Sequence, residues 1–220
     1  MTRSELAKMI DHTVLRADAA QGDVAALCDE AVHNGFAAVS INPAWVSFCA
    51  KKLEGSGVLV NATIGFPLGA NTAAVKVAEA RDAVKNGATE LDMVINVGAL
   101  KSGYAEFVEK EIAAVVKAAE GVPVKVILET SLLNTDEKIA VCEMAMRAGA
   151  AFVKTSTGFG RAGATTDDVA LMRQVVGAKL GVKAAGGIRS YADAAAMIGA
   201  GADRLGTSSG VAILKEMPGE

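Results

Sequence analysis

The sequence is poor in the residue types that mark several large classes of protein. Aromatic residues make up 4% of the chain, and no apolar run approaches the roughly 18 residues that a membrane-spanning helix requires. The net charge is −3 with both signs interspersed, so no basic block is available to follow a nucleic acid backbone. We therefore expect neither a nucleic acid nor a membrane as partner, and we expect a cytoplasmic protein.

Cysteine and histidine are equally scarce. The three cysteines, Cys28, Cys49 and Cys142, are odd in number and lack metal-ligand spacing, which is typical of reduced thiols that serve as small apolar residues. The two histidines, His12 and His33, are distant in the sequence, whereas a catalytic metal usually needs a cluster of such ligands. We expect no metal and no cofactor, and we interpret His12 as an outward-facing or hydrogen-bonded structural residue.

Small aliphatic residues are abundant, and they recur in a repeated pattern. Eight short apolar runs alternate with stretches of helical periodicity along the chain. The runs are Ile10–Leu15, Ala37–Ile41, Val58–Ile64, Leu91–Asn96, Val124–Glu129, Ala151–Thr155, Val182–Ala185 and Asp203–Gly206. A glycine that is interpreted as a helix end precedes each run after the first, namely Gly35, Gly57, Gly87, Gly121, Gly149, Gly181 and Gly201.

This repetition predicts the architecture. Eight near-equal βα units in 220 residues favour an α/β fold whose parallel sheet closes into a (β/α)8 TIM barrel, with an open doubly wound sheet as the alternative. No linker or low-complexity segment interrupts the series, so we predict a single domain over residues 1–220.

Two lysines lie inside apolar runs, where lysine is uncommon. Lys154 and Lys183 occupy the sixth and seventh runs, which are neighbouring strands in the predicted barrel. Two amines side by side in a poorly solvated interior disfavour protonation of one of them, and a neutral amine can form an imine with a carbonyl. The alternative is that each ammonium anchors a phosphate or a carboxylate at its strand end.

Acidic residues in other runs could complete a proton relay. Asp92 lies in the fourth run, and a buried carboxylate needs a partner, for which a lysine across the barrel is suited. Asp11 and Thr13 add an acid and a hydroxyl at the first run. The alternative is a structural layer of salt bridges inside the barrel, and we interpret Lys125 and Glu129, in the fifth run, as members of such structural pairs.

Small and hydroxyl residues cluster after the last strands, where barrels often bind phosphate. The candidate phosphate-binding residues are Gly158, Gly186, Gly187, Gly206, Ser208 and Ser209. Tight turns with ordinary capping serines are the alternative. The segment Gly158–Gly163 also matches the dinucleotide pattern Gly-x-Gly-x-x-Gly, but no acidic residue lies between Asp168 and Asp193 to hold a ribose, which disfavours a nicotinamide-dependent oxidoreductase.

Four segments together resemble the deoxyribose-phosphate aldolases. These segments are Ile10–Thr13, Leu91–Asn96, Phe152–Gly158 and Val182–Arg189, and the likeness extends in order along the chain. The resemblance implies reversible cleavage of 2-deoxy-D-ribose 5-phosphate to D-glyceraldehyde 3-phosphate and acetaldehyde by a metal-independent lyase. It implies that Lys154 forms the imine, that Lys183 lowers its pKa, that Asp92 relays protons, and that Asp11 and Thr13 support this relay.

Two positions depart from the family pattern. Ser40 stands where many members have cysteine, and Phe159 stands where some have a lysine that would help to bind phosphate. We expect a phosphosugar as substrate and a homodimer or higher homo-oligomer as assembly, although the sequence does not determine the number of subunits. A non-catalytic phosphosugar-binding barrel, and a barrel aldolase or isomerase acting on a bisphosphate ketose, are the alternatives.

Overall fold

The sheet of the protein is a closed barrel of eight parallel strands in sequential order. A computed structural model describes residues 1–218. The strands are β1 (Ile10–Val14), β2 (Ala38–Ile41), β3 (Leu59–Ile64), β4 (Glu90–Val94), β5 (Val124–Ile127), β6 (Phe152–Lys154), β7 (Gly181–Ala185) and β8 (Arg204–Thr207). The predicted TIM barrel is confirmed, and the open sheet is excluded because β8 pairs with β1.

Helices follow the strands and cover the outside of the barrel. They are α1 (Arg3–Ala7), α2 (Gln21–Asn34), α3 (Val46–Lys52), α4 (Ala73–Lys85), α5 (Val97–Lys101), α6 (Ala105–Ala118), α7 (Thr135–Arg147), α8 (Thr166–Val176), α9 (Tyr191–Gly199) and α10 (Gly210–Glu216). None of the helices in residues 1–218 is long and apolar enough to cross a membrane.

Strand alternation divides the buried residues into two layers. On β4, Leu91 and Met93 belong to the apolar core, whereas Glu90 and Asp92 make polar contacts with residues of other strands. Successive side chains of a strand point to opposite faces, so the polar residues of β4 share the face that lines the barrel interior. The apolar core between sheet and helices holds the barrel closed, while the interior carries charge.

The predicted helix ends are confirmed at four glycines, which have positive φ angles and follow a helix directly or after one residue: Gly35, Gly87, Gly149 and Gly201. Gly57 and Gly121 also have positive φ angles, but they lie in turns beyond the helix ends, because α3 already ends at Lys52 and α6 at Ala118. The prediction is wrong at Gly181, because α8 already ends before Gly177 and Gly181 is the first residue of β7. Gly181 pairs with Phe152 of β6, and an added Cβ would lie 2.1 Å from the Phe152 ring. Glycine is required there for close strand packing.

Candidate active site

The two strand lysines lie side by side in the barrel. Lys154 on β6 and Lys183 on β7 are direct partners in the register of the parallel pair. The side chain of Lys154 is 3% exposed and that of Lys183 is fully buried. Because each belongs to a short strand between apolar residues, the backbone pairing alone brings the two side chains together.

One carboxylate joins both amines. Asp92, which β4 carries across the barrel, accepts hydrogen bonds at Oδ2 from Lys154 Nζ at 2.7 Å and from Lys183 Nζ at 2.8 Å. Asp11 Oδ2 accepts a second bond from Lys183 Nζ at 2.5 Å. The structure thus brings together four of the residues that the sequence singled out, and Lys183 has two carboxylate partners where Lys154 shares one.

Below these residues lies a second layer of buried charge. Lys125 donates to Glu90 at 2.6 Å and to Asn61 at 3.0 Å, in agreement with its interpretation as a structural ion-pair residue. Arg204, at the start of β8, donates to Asp11 at 2.6 Å and to Glu90 at 3.2 Å. Sequence reasoning missed Arg204 and Glu90, because charged residues are ordinary near the start of a strand and attract no attention there.

The same expectation for Glu129 is wrong. Within residues 1–218, Glu129 makes no ion pair, and its Oε2 instead accepts hydrogen bonds from the hydroxyl and the N–H of Thr157. Glu129 lies beyond the end of β5 with a positive φ angle, so its side chain is directed away from Lys125 and toward the loop after β6. The observed strand ends two residues before the end of the predicted run, which places Glu129 outside the strand.

The buried charges do not balance if every group is ionised. Four cations, Lys125, Lys154, Lys183 and Arg204, face three carboxylates. The carboxylates are Asp11, Glu90 and Asp92. One neutral amine would restore the balance, and Lys154 is the member of the cluster that reaches the cavity at the barrel mouth.

The pKa values support the same assignment. The pKa of Lys154 is lowered to about 8, chiefly by burial, while Asp92 opposes the change and the charge of the neighbouring Lys183 adds to it. For Lys183 the burial effect is outweighed by Asp11 and Asp92, which raise its pKa. Burial also opposes ionisation of Asp92, yet Lys154 and Lys183 hold the pKa of Asp92 well below its usual value. Removal from water therefore contributes more to the reactive amine than crowding of like charges, which the sequence led us to expect as the main cause.

Within residues 1–218, the other polar residues of β1, Thr13 and His12, make no hydrogen bond with the lysine and carboxylate groups of the site. Thr13 is half-buried and donates its hydroxyl hydrogen bond to the backbone carbonyl of Asp11 at 2.8 Å, so it borders the cavity without contacting the carboxylates. His12 Nε2 lies 2.6 Å from Glu30 Oε2, as expected for a hydrogen-bonded structural histidine, and His33 is exposed. In the described part of the chain, residues 1–218, no group of three or more histidine, cysteine, aspartate or glutamate side chains is arranged so that it could hold a metal ion.

A cavity of about 390 Å³ opens above Lys154 at the carboxyl ends of the strands. Five of the six candidate phosphate-binding residues line it, namely Gly158, Gly186, Gly187, Gly206 and Ser208. Ser209 does not line the cavity, and its backbone N–H donates to the Thr207 hydroxyl at 2.9 Å. Thr157, Thr207 and Arg189, which lie in the same loops after β6, β8 and β7, also line the cavity, and so does Arg16, which sequence reasoning missed.

The glycine-rich segment after β6 has a packing role. An added Cβ at Gly163 would lie 2.1 Å from the carbonyl oxygen of Gly186, and one at Gly160 would lie 2.8 Å from Glu129 Oε1. Gly163 lets the loop after β6 lie against the loop after β7, and Gly160 lets it lie against Glu129 in the loop after β5. The dinucleotide-like spacing in this segment is thus explained by close contact between neighbouring loops of one barrel.

The two residues that depart from the family pattern, Phe159 and Ser40, lie in different environments. Phe159 is 55% exposed at the rim of the cavity and stacks edge-on against Phe66, with the ring centroids 5.5 Å apart. The Ser40 hydroxyl is buried and accepts a hydrogen bond from Asn61 at 2.8 Å. Phe159 places an aromatic ring at the cavity wall, whereas Ser40 belongs to the polar barrel interior.

Known proteins are similar to this chain over almost its whole length. Residues 6–216 match the model of a family described as "DeoC/LacD family aldolase". The deoxyribose-phosphate aldolase of Streptococcus sanguinis is 57% identical over 211 residues, which cover 96% of each chain.

Solved structures agree with this match. A putative deoxyribose-phosphate aldolase from Coccidioides immitis is 44% identical with a TM-score of 0.96, over 98% of this chain and 87% of the other. A deoxyribose phosphate aldolase from Aeropyrum pernix, described as having a unique tetrameric structure, is 39% identical with a TM-score of 0.91, over 97% and 91% of the two chains.

Proposed function

This chain belongs to the DeoC/LacD family of aldolases, and on that premise we propose that it cleaves 2-deoxy-D-ribose 5-phosphate reversibly to D-glyceraldehyde 3-phosphate and acetaldehyde. The enzyme is a carbon–carbon lyase, and the reaction proceeds through an imine on Lys154. The single observation that carries the residue assignment is the position of Lys154, a buried amine with a lowered pKa at the floor of an open cavity.

The first step is addition of the Lys154 amine to the C1 aldehyde of the open-chain sugar. With a pKa of about 8, about one Lys154 side chain in ten is neutral at pH 7, whereas an ordinary lysine would be almost wholly protonated. Loss of water from the adduct leaves an iminium ion, which withdraws electrons from the adjacent carbon atoms.

The second step breaks the C2–C3 bond, because acetaldehyde retains C1 and C2. A base removes the proton of the C3 hydroxyl, C3 becomes the aldehyde carbon of glyceraldehyde 3-phosphate, and the bonding electrons form an enamine on Lys154. Asp92 and Lys183 are suited to move this proton, since Asp92 Oδ2 contacts both amines. Asp11 supports the relay by binding Lys183, and Thr13 borders the substrate. Protonation of the enamine carbon and hydrolysis then release acetaldehyde.

The phosphate binds at the loops after β6, β7 and β8. Gly158, Gly186 and Gly187 have positive φ angles and leave the backbone of these loops open to a ligand, while Ser208 adds a hydroxyl. Ser209 contributes through its neighbour, because its N–H orders Thr207 beside Ser208. Gly206 has a second role, since an added Cβ there would lie 3.1 Å from Lys183 Cε.

The enzyme works as a single domain over residues 1–220, of which the last two lie outside the described part of the chain. A homodimer or higher homo-oligomer is supported by the tetrameric aldolase from Aeropyrum pernix. The partner is a small phosphosugar, with no nucleic acid or membrane involved and no metal or cofactor in the reaction, and the location is cytoplasmic.

Borohydride trapping tests this proposal. Reduction of the enzyme in the presence of acetaldehyde should leave an ethyl group on Lys154, located by peptide mass spectrometry, and the enzyme should release acetaldehyde from 2-deoxy-D-ribose 5-phosphate. An adduct on another lysine would reassign the nucleophile. Trapping without turnover of any phosphosugar would favour a binding protein over a catalyst.

A further inference from the structure

A buried carboxylate next to the cavity has no part in the steps above. Glu129 lies between β5 and the 3₁₀ turn Thr130–Leu132, is 4% exposed, and has a φ angle of 55°. This left-handed conformation is unfavourable for a residue with a Cβ, and burial of a carboxylate without a cation costs free energy. Both features indicate that this side chain is held in place by specific contacts.

Within residues 1–218, the hydrogen bonds that the Glu129 carboxylate accepts all come from one residue of the loop after β6. Glu129 Oε2 accepts hydrogen bonds from the Thr157 hydroxyl at 2.5 Å and from the Thr157 N–H at 3.2 Å. Gly160 lies against the same carboxylate, where an added Cβ would be 2.8 Å from Oε1. The carboxylate therefore sets the position of the segment that follows Lys154 by three residues.

The contacts also determine how the Thr157 hydroxyl can bind a ligand. A hydroxyl group has one proton and two acceptor positions. The proton is committed to Glu129, and one acceptor position is occupied by the N–H of Phe159 at 3.1 Å. Because Thr157 lines the cavity beside Lys154, the remaining position can only accept a hydrogen bond from a bound molecule.

We propose that Glu129 is a positioning residue, which fixes the Thr157 hydroxyl as an acceptor for a hydroxyl group of the sugar. The inference rests on the proposed function, because it assigns Thr157 to the deoxyribose phosphate rather than to the acetaldehyde half of the reaction. Acetaldehyde has no hydroxyl group, so its imine with Lys154 does not need Thr157. The two substrates therefore separate this role from a general effect on folding.

Three variants test the proposal. Glu129→Leu removes the acceptor, Glu129→Gln keeps an oxygen at a similar distance, and Thr157→Val removes the hydroxyl at nearly constant volume. We expect Glu129→Leu and Thr157→Val each to lower kcat/KM for 2-deoxy-D-ribose 5-phosphate at least about tenfold, and Glu129→Gln to stay within about threefold of the parent enzyme. The rate of borohydride trapping of acetaldehyde on Lys154 should stay within about twofold in all three.

The double variant adds an independent criterion. Once Thr157 is valine, Glu129→Leu should cause little further loss, because both changes remove one shared interaction. Additive losses would overturn the proposal, as would a Glu129→Gln enzyme as impaired as the leucine variant, or a parallel fall in trapping.

Should the leucine variant fail to fold, Glu129→Asp takes its place, since the shorter side chain withdraws the acceptor from Thr157. The same selective loss is then expected, and an unchanged kcat/KM would overturn the proposal. Absence of a Lys154 adduct in the parent enzyme would instead reject the proposed function itself, so the two failures are distinguishable.

Discussion

Two buried lysine–carboxylate pairs in the described part of the chain differ in their surroundings, and one of them borders the cavity at the barrel mouth. At the barrel mouth, Lys154 Nζ lies 2.7 Å from Asp92. Between the helices outside the barrel, Lys76 of α4 lies 2.8 Å from Glu111 of α6, with both side chains fully buried. Burial lowers the pKa of both lysines.

The difference lies in what else surrounds each amine. Within residues 1–218, Lys76 is the one cation that pairs with Glu111, whose Oε2 also accepts a hydrogen bond from the N–H of Asn96 at 3.1 Å. Lys76 donates to the carbonyl of Val94 at 2.8 Å as well, so its hydrogen-bonding capacity is used by the fold. Lys154 shares Asp92 with Lys183 and borders an open cavity. A buried lysine is therefore structural when the fold satisfies its hydrogen bonds. It is reactive when a second lysine shares its carboxylate and a substrate carbonyl group can reach it.

The largest expected effect comes from replacing each of these two buried lysines, Lys154 and Lys76, by methionine. Lys154→Met should lower kcat for 2-deoxy-D-ribose 5-phosphate by about 10⁴-fold or more while the barrel remains folded, because the covalent step is lost. Lys76→Met should leave Glu111 buried without its cation and lower the free energy of unfolding by about 3–5 kcal/mol. Steady-state kinetics and urea denaturation measure the two effects.

The two variants serve as controls for each other. The folded fraction of Lys76→Met should keep kcat within about threefold of the parent enzyme, since Lys76 does not reach the cavity. Loss of activity in a folded Lys76→Met protein, or substantial turnover by Lys154→Met, would contradict the distinction between the two regions.

A smaller effect is expected when Lys183, the second amine of the site, is replaced. The charge of Lys183 lowers the pKa of Lys154, and Asp92 and Asp11 raise it. Lys183→Leu removes the lowering influence and frees both carboxylates, so the pKa of Lys154 should rise above about 8. The rate of imine formation with acetaldehyde should then begin to fall at a pH about one unit higher, which at pH 7 is about a tenfold loss.

Lys183→Arg provides the matched control, because it retains the positive charge. Its pH profile should stay nearer to that of the parent enzyme than to that of Lys183→Leu. A Lys183→Leu enzyme whose profile has not moved would show that burial alone adjusts Lys154.

The smallest effect concerns the cavity rim. Phe159→Lys would place a cation beside the proposed phosphate site, so KM for the phosphorylated sugar should fall about two- to fivefold at low salt, with the gain weakening as salt is added. Unphosphorylated 2-deoxyribose should show no such gain, and Phe159→Gln controls for loss of the contact with Phe66. An equal change for both sugars would indicate that the aromatic contact, and not charge, governs binding.

Much of the fold followed from local pattern. Short apolar runs separated by helical periodicity and glycine predicted eight βα units, and parallel strands with short crossovers can satisfy their hydrogen bonds by closing. Gly181 was misinterpreted because the residue it must avoid, Phe152, is 29 positions away in the chain and adjacent only through strand pairing. A glycine in the sequence indicates that there is little room for a side chain at its position. It does not indicate which neighbouring residue takes up the room.

The site likewise contains residues that the sequence predicted and residues that only the structure revealed. Lys154, Lys183 and Asp92 stand out in the sequence because ionisable residues inside apolar runs are costly to bury without a purpose. Arg204 and Glu90 lie at strand starts, where charge is ordinary, and only the register between strands shows that they contact Asp11 and Lys125.

The sequence by itself determined the number of βα units, the strands that carry the two lysines, and the family resemblance, because each of these depends on residue type and spacing. Only the tertiary structure decided that Asp92 is shared by both amines, that burial is the main cause of the lowered pKa of Lys154, and that Glu129 holds Thr157. Those properties depend on distances between residues far apart in the chain and on exclusion of water, which arise only when the barrel closes.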